Sequence, residues 1–155
     1  MLKQVKVMRG ISGAGKSTLA KKLQLEAMEN GVRSIIVSAD DFFVDDKGEY
    51  KFDVTKLGEA HKFCLKRFLS EVRNNTDLII VDNTNINLED MAPYVALGEA
   101  FDYDVEIVQV DTPAAVGATR NVHNVPPHTV RGMDARLAAV KVPSRYKVRR
   151  VAGTY

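Results

Sequence analysis

Eight residues near the N-terminus, Gly10-Ile11-Ser12-Gly13-Ala14-Gly15-Lys16-Ser17, set a lysine and a hydroxyl directly after a glycine-rich turn. They fit the phosphate-binding pattern of glycine, four residues, glycine, lysine and serine at every position. Phosphate oxygens need several donors converging on one small volume. A glycine-rich turn lets successive backbone N–H groups point inward, where side chains would obstruct the approach. Ser12, Gly13, Ala14, Gly15, Lys16, Ser17 and Thr18 are therefore the candidate nucleotide-binding residues. Lys16 supplies a cation for the β- and γ-phosphates, and the Ser17 hydroxyl is suited to hold Mg²⁺. The expected ligand is a nucleoside triphosphate.

Phosphoryl transfer to a hydroxyl also needs charge neutralisation and a base. Asp40 and Asp41 are the candidates for the base. Adjacent residues leaving a strand point to opposite sides, so one of them faces the γ-phosphate and the other is free to bond its own turn. Asp82, at the end of an apolar run, either supports Mg²⁺ or its water shell, or caps the following turn. Arg120 stands beside a break containing Pro126 and Pro127. It is either part of a lid that closes on the phosphates or a surface arginine lying along its own stem.

The elements that must position these groups alternate regularly. Val5 to Met8 reads as a short strand leading into the glycine-rich turn. Leu19, Ala20, Leu23 and Ala27 recur at helical spacing until Asn30-Gly31. Ser34 to Ser38 is a β-branched strand ending at Asp40-Asp41. Residues 42–52 read as a loop folded over something, and Val54 to Asn74 as a long helix with Leu57, Ala60, Cys64, Leu65, Phe68 and Val72 on its apolar stripe. Leu78 to Val81 is the most apolar run and predicts a central parallel strand that delivers Asp82-Asn83-Thr84-Asn85. Asn87 with Asp90 starts a helix to about Ala100, and Val105 to Val110 is a further strand. Pro113 opens a helix to Arg120, and Thr129 to Val140 is the last helix. The tail from Lys141 to Tyr155 reads as basic and weakly periodic.

This order predicts an α/β fold with a mostly parallel sheet, right-handed crossovers and helices on both faces, completed by a small helical lid. Ligands in such sheets sit at the carboxyl ends of the strands, where the glycine-rich turn, Asp40-Asp41 and Asp82 to Asn85 all fall. At 155 residues the chain reads as one domain, 1–155, able to bury about two-thirds of its unfolded surface. With 22 basic against 20 acidic residues, net charge by itself gives no argument for a nucleic-acid partner. The single cysteine, Cys64, excludes an intramolecular disulfide and suits a reducing cytosol. No run approaches the roughly 18 apolar residues of a membrane span. The expected setting is cytoplasmic.

With these residues in place, the chain resembles the polynucleotide 5′-hydroxyl kinases, a family that includes the phage end-healing kinases. The resemblance runs from about Val5 to Arg136. It rests on Arg9-Gly10 leading into Ser12 to Thr18, then Ser38-Ala39-Asp40-Asp41-Phe42-Phe43, then Tyr50, Phe52-Asp53, Leu57-Gly58 and Ala60-His61. Val81-Asp82-Asn83-Thr84-Asn85 follows, and last Arg120-Asn121, His123, Val125, Met133 and Arg136. The resemblance implies ATP as donor, Mg²⁺ positioned by Ser17 and Asp82, Asp40 as general base toward a 5′-hydroxyl, and Arg120 as the lid arginine. Lys16 and Arg120 would assist catalysis; Asp41, Phe43, Asp82, Asn83, Thr84 and Asn85 would shape the acceptor side. His61 either lines the acceptor site or is a partly buried, hydrogen-bonded helical histidine. A chain this short leaves any end-repair phosphatase or ligase to a separate protein.

Two positions depart from the family. Where the phage enzymes carry an arginine three residues past the base, this chain has Phe43, which could stack on a nucleobase. A second lid arginine is replaced by Asn124, with Arg131 or the Arg145–Arg150 stretch as substitutes. That stretch either tracks a phosphodiester backbone, with Tyr146 stacking, or is a solvated terminus. Three functions are therefore expected to compete: transfer of the γ-phosphate of ATP to a DNA or RNA 5′-end, the same transfer to a small hydroxyl compound, and a non-catalytic ATP-binding switch.

Overall fold

The computed structural model describes residues 2–153. Five parallel strands form one sheet: β1 (Gln4–Arg9), β2 (Ser34–Val37), β3 (Leu78–Asp82), β4 (Asp104–Asp111) and β5 (Lys147–Ala152). Their order across the sheet is β2-β3-β1-β4-β5. The helices are α1 (Lys16–Glu29), α2 (Leu57–Arg73), α3 (Leu88–Ala100), α4 (Ala114–Arg120) and α5 (Pro127–Ala139). Among the described residues no helix is long and apolar enough to cross a membrane.

Strand alternation divides the core into two layers. Val5, Val7, Ile79, Val81 and Ile107 turn to one face and pack with Ala60, Cys64, Phe68 and Val72 of α2 and Met91, Tyr94 and Val95 of α3. Met8, Ile80, Val108 and Val110 turn to the other, against Ala20 and Ala27 of α1 and Val130 of α5. Val7 sits level with Val81 on one side and Ile107 on the other, so β1 is sheathed on both edges and both faces. β3, held between β1 and β2, reads as nearly continuous apolar residues for the same reason, whereas β1 still carries Lys6, paired with Glu106 at 3.1 Å, and the buried Arg9. The predicted three-layer α/β fold is the one observed.

Helix boundaries follow local chemistry. Asn87 and Asp90 close a capping box at the start of α3, and α5 opens on Pro127, two residues before the expected start. The predicted helix from Val54 begins instead as a 3₁₀ turn, Val54–Lys56, with Asp53 accepting from the Thr55 N–H at 3.0 Å; α2 proper starts at Leu57.

The tail is a different element from the one expected. Lys147–Ala152 is not a loose terminus but the fifth strand, hydrogen-bonded along β4. Its cations are matched to acids of β4: Lys147 to Asp104 (3.0 Å), Arg149 to Glu106 (3.3 Å) and Arg150 to Asp111 (2.9 Å). Tyr146 is buried in the core layer shared with α2 and α3, so its ring is not offered to a nucleobase. Thr154 and Tyr155 of the expected tail lie outside the described residues.

Candidate active site

The glycine-rich turn is built by backbone geometry that only certain residues allow. Gly13 and Gly15 have φ of 77° and 100°, in the left-handed region. A Cβ on Gly13 would also run into the Gly117 carbonyl of α4, so the turn and that helix touch backbone to backbone. The Gly10 N–H donates to the Thr84 carbonyl at 3.0 Å and the Ala14 N–H to the Ile11 carbonyl at 3.2 Å. Behind the turn, Thr112 Oγ1 donates to the Ala14 carbonyl at 3.0 Å. The Gly153 N–H, just past β5, donates to Asp111 O at 2.7 Å, and Gly153 lies so close to Ala14 that a Cβ would come within 2.6 Å of its carbonyl.

Lys16 begins α1 and is buried, with Nζ donating to the Ile11 carbonyl at 2.6 Å. Burial pushes its pKa down to about 8, against the opposing pull of Asp82 and Asp40. Ser17 Oγ donates to Asp82 Oδ2 at 2.7 Å. Burial raises the proton affinity of Asp82, while the Ser17 bond and the Lys16 charge lower it. Ser17 and Asp82 are thus two adjacent oxygen donors beside a lysine, a set that suits Mg²⁺. Among the described residues there is no group of three or more His, Cys, Asp or Glu that could hold a metal by itself, and Mg²⁺ ordinarily takes water and phosphate oxygens beside one or two protein ligands.

Asp40 lies in a 3₁₀ turn, Ala39–Phe43, capped by Ser38, whose Oγ accepts from the Asp40 N–H at 3.2 Å. Asn83 fastens this turn to the end of β3: its Oδ1 accepts from the Ala39 N–H at 2.8 Å, and its Nδ2 approaches Cys64 Sγ at 3.6 Å. Asp40 opens into a cleft of about 260 Å³ shared with Ser12, Lys16, Ser17, Asp82, Asn83, Thr84, Arg120 and His123. The structure therefore brings together the glycine-rich turn, one of the two candidate bases and the arginine at the end of α4.

Three residues expected at the acceptor side lie elsewhere. Asp41 points to α2 and pairs with Arg67 at 2.7 Å. Phe43 is buried, ringed by Phe42, Tyr50 and Phe52, and cannot stack on an acceptor base. Asn85 is buried with φ of 49°, donating to the Met8 carbonyl at 2.7 Å. These three support the site rather than line it. His61 is exposed on α2, neither at the cleft nor partly buried.

Sequence reasoning assigned no role to three other residues. Arg9 is 2% exposed at the end of β1 and donates to the Asn85 carbonyl (3.0 Å), the Ile86 carbonyl (2.6 Å) and Gln109 Oε1 (2.8 Å). A cation inside an apolar strand was the signal that it must be paired. Arg9→Met should strand three buried acceptors and cost about 2 kcal/mol, read as a fall of about 5 °C in the unfolding midpoint. An unchanged midpoint would show that this loop holds itself. Tyr50 returns to the cleft because Val44 and Tyr50 bridge as antiparallel neighbours; its hydroxyl donates to Asp40 Oδ1 at 3.2 Å. Burial first, and the Asp40 charge second, push the Tyr50 pKa up to about 12. His123 places Nε2 3.4 Å from Asp40 Oδ2 and its ring 4.3 Å from that of Tyr50.

Comparison with known proteins gives the family and the fold. A family profile described as an AAA domain matches residues 5–143. NEDD4-binding protein 2 of Homo sapiens is 40% identical over 124 residues, covering 77% of this chain but only 7% of that protein. The chain thus spans a small fraction of the relative it matches. Among solved structures, Mycobacterium tuberculosis APS kinase CysC in complex with AMPPNP and APS superposes with a TM-score of 0.64 at 16% identity, covering 97% of this chain and 88% of that one. A chain of the Pnkp1/Rnl/Hen1 RNA repair complex gives 0.69 at 18% identity, covering 89% and 45%. A gluconokinase from Sinorhizobium meliloti 1021 gives 0.57 at 14%, covering 99% and 85%. At these identities the likeness to solved structures is one of fold, that of P-loop kinases.

Proposed function

Because the chain belongs to the AAA domain family, matched over residues 5–143, we propose that it transfers the γ-phosphate of ATP to the 5′-hydroxyl end of a DNA or RNA strand. The observation that carries this reading is the position of Asp40. It is a carboxylate in the same cleft as Lys16, Ser17 and Arg120, half exposed there, and Ser17 bonds Asp82 and not Asp40. A pure nucleotide switch has no use for such a group, and a hydroxyl acceptor does.

In this reading the backbone N–H groups between Ser12 and Thr18, apart from that of Ala14, which bonds the Ile11 carbonyl, join the start of α1 in cradling the β- and γ-phosphates. Lys16 spreads its charge over them. Ser17 and Asp82 would hold Mg²⁺, whose chemistry when bound is to neutralise phosphate charge. Asp40 accepts the acceptor's proton, Arg120 closes on the phosphates from the end of α4, and Asn83 and Thr84 line the floor between donor and acceptor. The ordered residues shared with the polynucleotide kinases, and the fold shared with a chain of an RNA repair complex, support a polynucleotide acceptor. The proposed setting is the cytoplasm.

A second reading has its own support. The fold is equally that of APS kinase and a gluconokinase, and the buried Phe43 leaves no arginine there to grip the acceptor. In that reading the acceptor is a small alcohol. The test is transfer of labelled γ-phosphate from ATP and Mg²⁺ to 5′-hydroxyl DNA and RNA oligonucleotides and to a panel of small alcohols, over a range of salt. Labelled ends whose KM rises steeply with salt support the first reading. Label on a small alcohol alone, insensitive to salt, replaces it with the second.

A further inference from the structure

We infer that His123 and Tyr50 are positioning residues for Asp40, and that a proton gained by His123 takes Asp40 out of use. The inference rests on the reading of Asp40 as the proton acceptor. Each carboxylate oxygen has its own neighbour: Tyr50 Oη at 3.2 Å from Oδ1 and His123 Nε2 at 3.4 Å from Oδ2. Tyr50 and His123 also touch each other ring to ring, so neither can swing without disturbing the other. Both distances are longer than a tight hydrogen bond, as expected of a base that must still receive a hydroxyl.

His123 is brought there by a turn that is already closed. Asn121 Oδ1 accepts from the Val125 N–H at 2.7 Å, while its Nδ2 lies 3.2 Å from the Val125 carbonyl and 3.0 Å from the Ala118 carbonyl. Asn124 completes the turn with φ of 55°, a conformation that asparagine tolerates far better than a long side chain. The residue at the place of the second lid arginine is thus spent on the turn, and the cleft receives the imidazole of His123 instead.

The step served is balanced. The acceptor oxygen forms a bond to the γ-phosphorus, the bond from that phosphorus to the bridging oxygen breaks, and its electron pair leaves on ADP. The hydroxyl proton goes to Asp40. Tyr50 and a neutral His123 hold the carboxylate toward the hydroxyl; a protonated His123 pairs with it and competes with the hydroxyl for the same oxygen. The other charged or titratable groups on the same cleft are Lys16 and Asp82 across it and Arg120 at the base of the His123 turn. They are common to wild type and variants, and an imidazole is the side chain that ordinarily changes charge between pH 6 and 7.5.

The experiment measures kcat, and KM for ATP, at pH 7.5 and pH 6 for wild type, His123→Gln and Tyr50→Phe, using whichever hydroxyl acceptor the wild type labels. Expected for His123→Gln is a kcat about 10-fold lower at pH 7.5 with KM for ATP unchanged, and a ratio of activity between the two pH values much flatter than in wild type. Tyr50→Phe should lower kcat several-fold and keep the wild-type ratio. Equal loss at both pH values in His123→Gln, or none, overturns the inference. In parallel, the imidazole NMR signals of the three histidines are compared in wild type and Asp40→Asn. The signals of His123 should move while those of His61 and His128 stay. If no acceptor is labelled, the proposed reaction falls on its own; an unmoved His123 signal overturns the present inference whether or not the reaction stands.

Discussion

Asp40→Asn should abolish phosphoryl transfer to any hydroxyl acceptor, with kcat falling about 10²–10⁴-fold, the range of a general base. Asparagine preserves the shape and still accepts from Tyr50, so only the capacity to take a proton is removed. The side chain of Asp40 is 50% exposed, and the change should leave the unfolding midpoint within a degree or so of wild type. KM for ATP should hold as well, because the phosphates are gripped by the glycine-rich turn and Lys16. Loss of kcat alone is therefore the signature. Transfer that survives within a few-fold would remove Asp40 from the chemistry and leave the nucleotide half of the site intact.

Lys16→Met should do something less intuitive, weakening nucleotide binding while strengthening the empty fold. The pKa of Lys16 is lowered from 10.5 to about 8, chiefly by burial. The folded chain therefore binds fewer protons there than the unfolded chain between pH 8 and 10.5, and this group's contribution to stability rises with pH across that window. Below pH 8 the buried charge is a standing cost, of about 3 kcal/mol by the size of the shift. Methionine keeps the stem and removes the charge, and losing the bond to the Ile11 carbonyl returns about 1 kcal/mol. At pH 7 the unfolding midpoint should rise by about 5 °C, and the gain should fade as pH is raised toward 10. Nucleotide affinity should fall about 100-fold, the loss of charge-assisted bonds to phosphate. Bound phosphates also restore the charged lysine, so wild-type binding at pH 8.5 should take up a proton, visible by calorimetry in buffers of different ionisation heat. A variant less stable than wild type at pH 7 would mean that Lys16 is a brace and not a cost.

Much of this site was legible because its grammar is local. The glycine-rich turn fixes its own geometry within eight residues, and β3 declares itself by an apolar run of the kind a buried parallel strand needs. Asp40 and Asp82 could be placed at strand ends for the same reason. What was not legible depends on distant partners. Lys147, Arg149 and Arg150 look like a solvated charge run because their matching acids, Asp104, Glu106 and Asp111, stand about forty positions earlier, and an edge strand needs little apolar patterning. Phe43 fits a stacking surface and a core equally well by its place beside the Asp40 turn; only the closure of Phe42, Tyr50 and Phe52 around it decides. Tyr50 and His123 meet Asp40 from two separate loops, and no spacing rule predicts that meeting.

Gly153 and Thr112 press on the back of Ala14 while Gly13 abuts α4 on its other side. The phosphate-binding turn is therefore held in a vice between the last strand and the helix that ends in Arg120. Tension on the chain at Gly153 passes through Asp111 and Thr112 to Ala14 across three short contacts, with no slack segment between them. The end of the fifth strand thus backs the turn through these contacts. Mechanically, the far edge of the sheet and the grip on phosphate are one part.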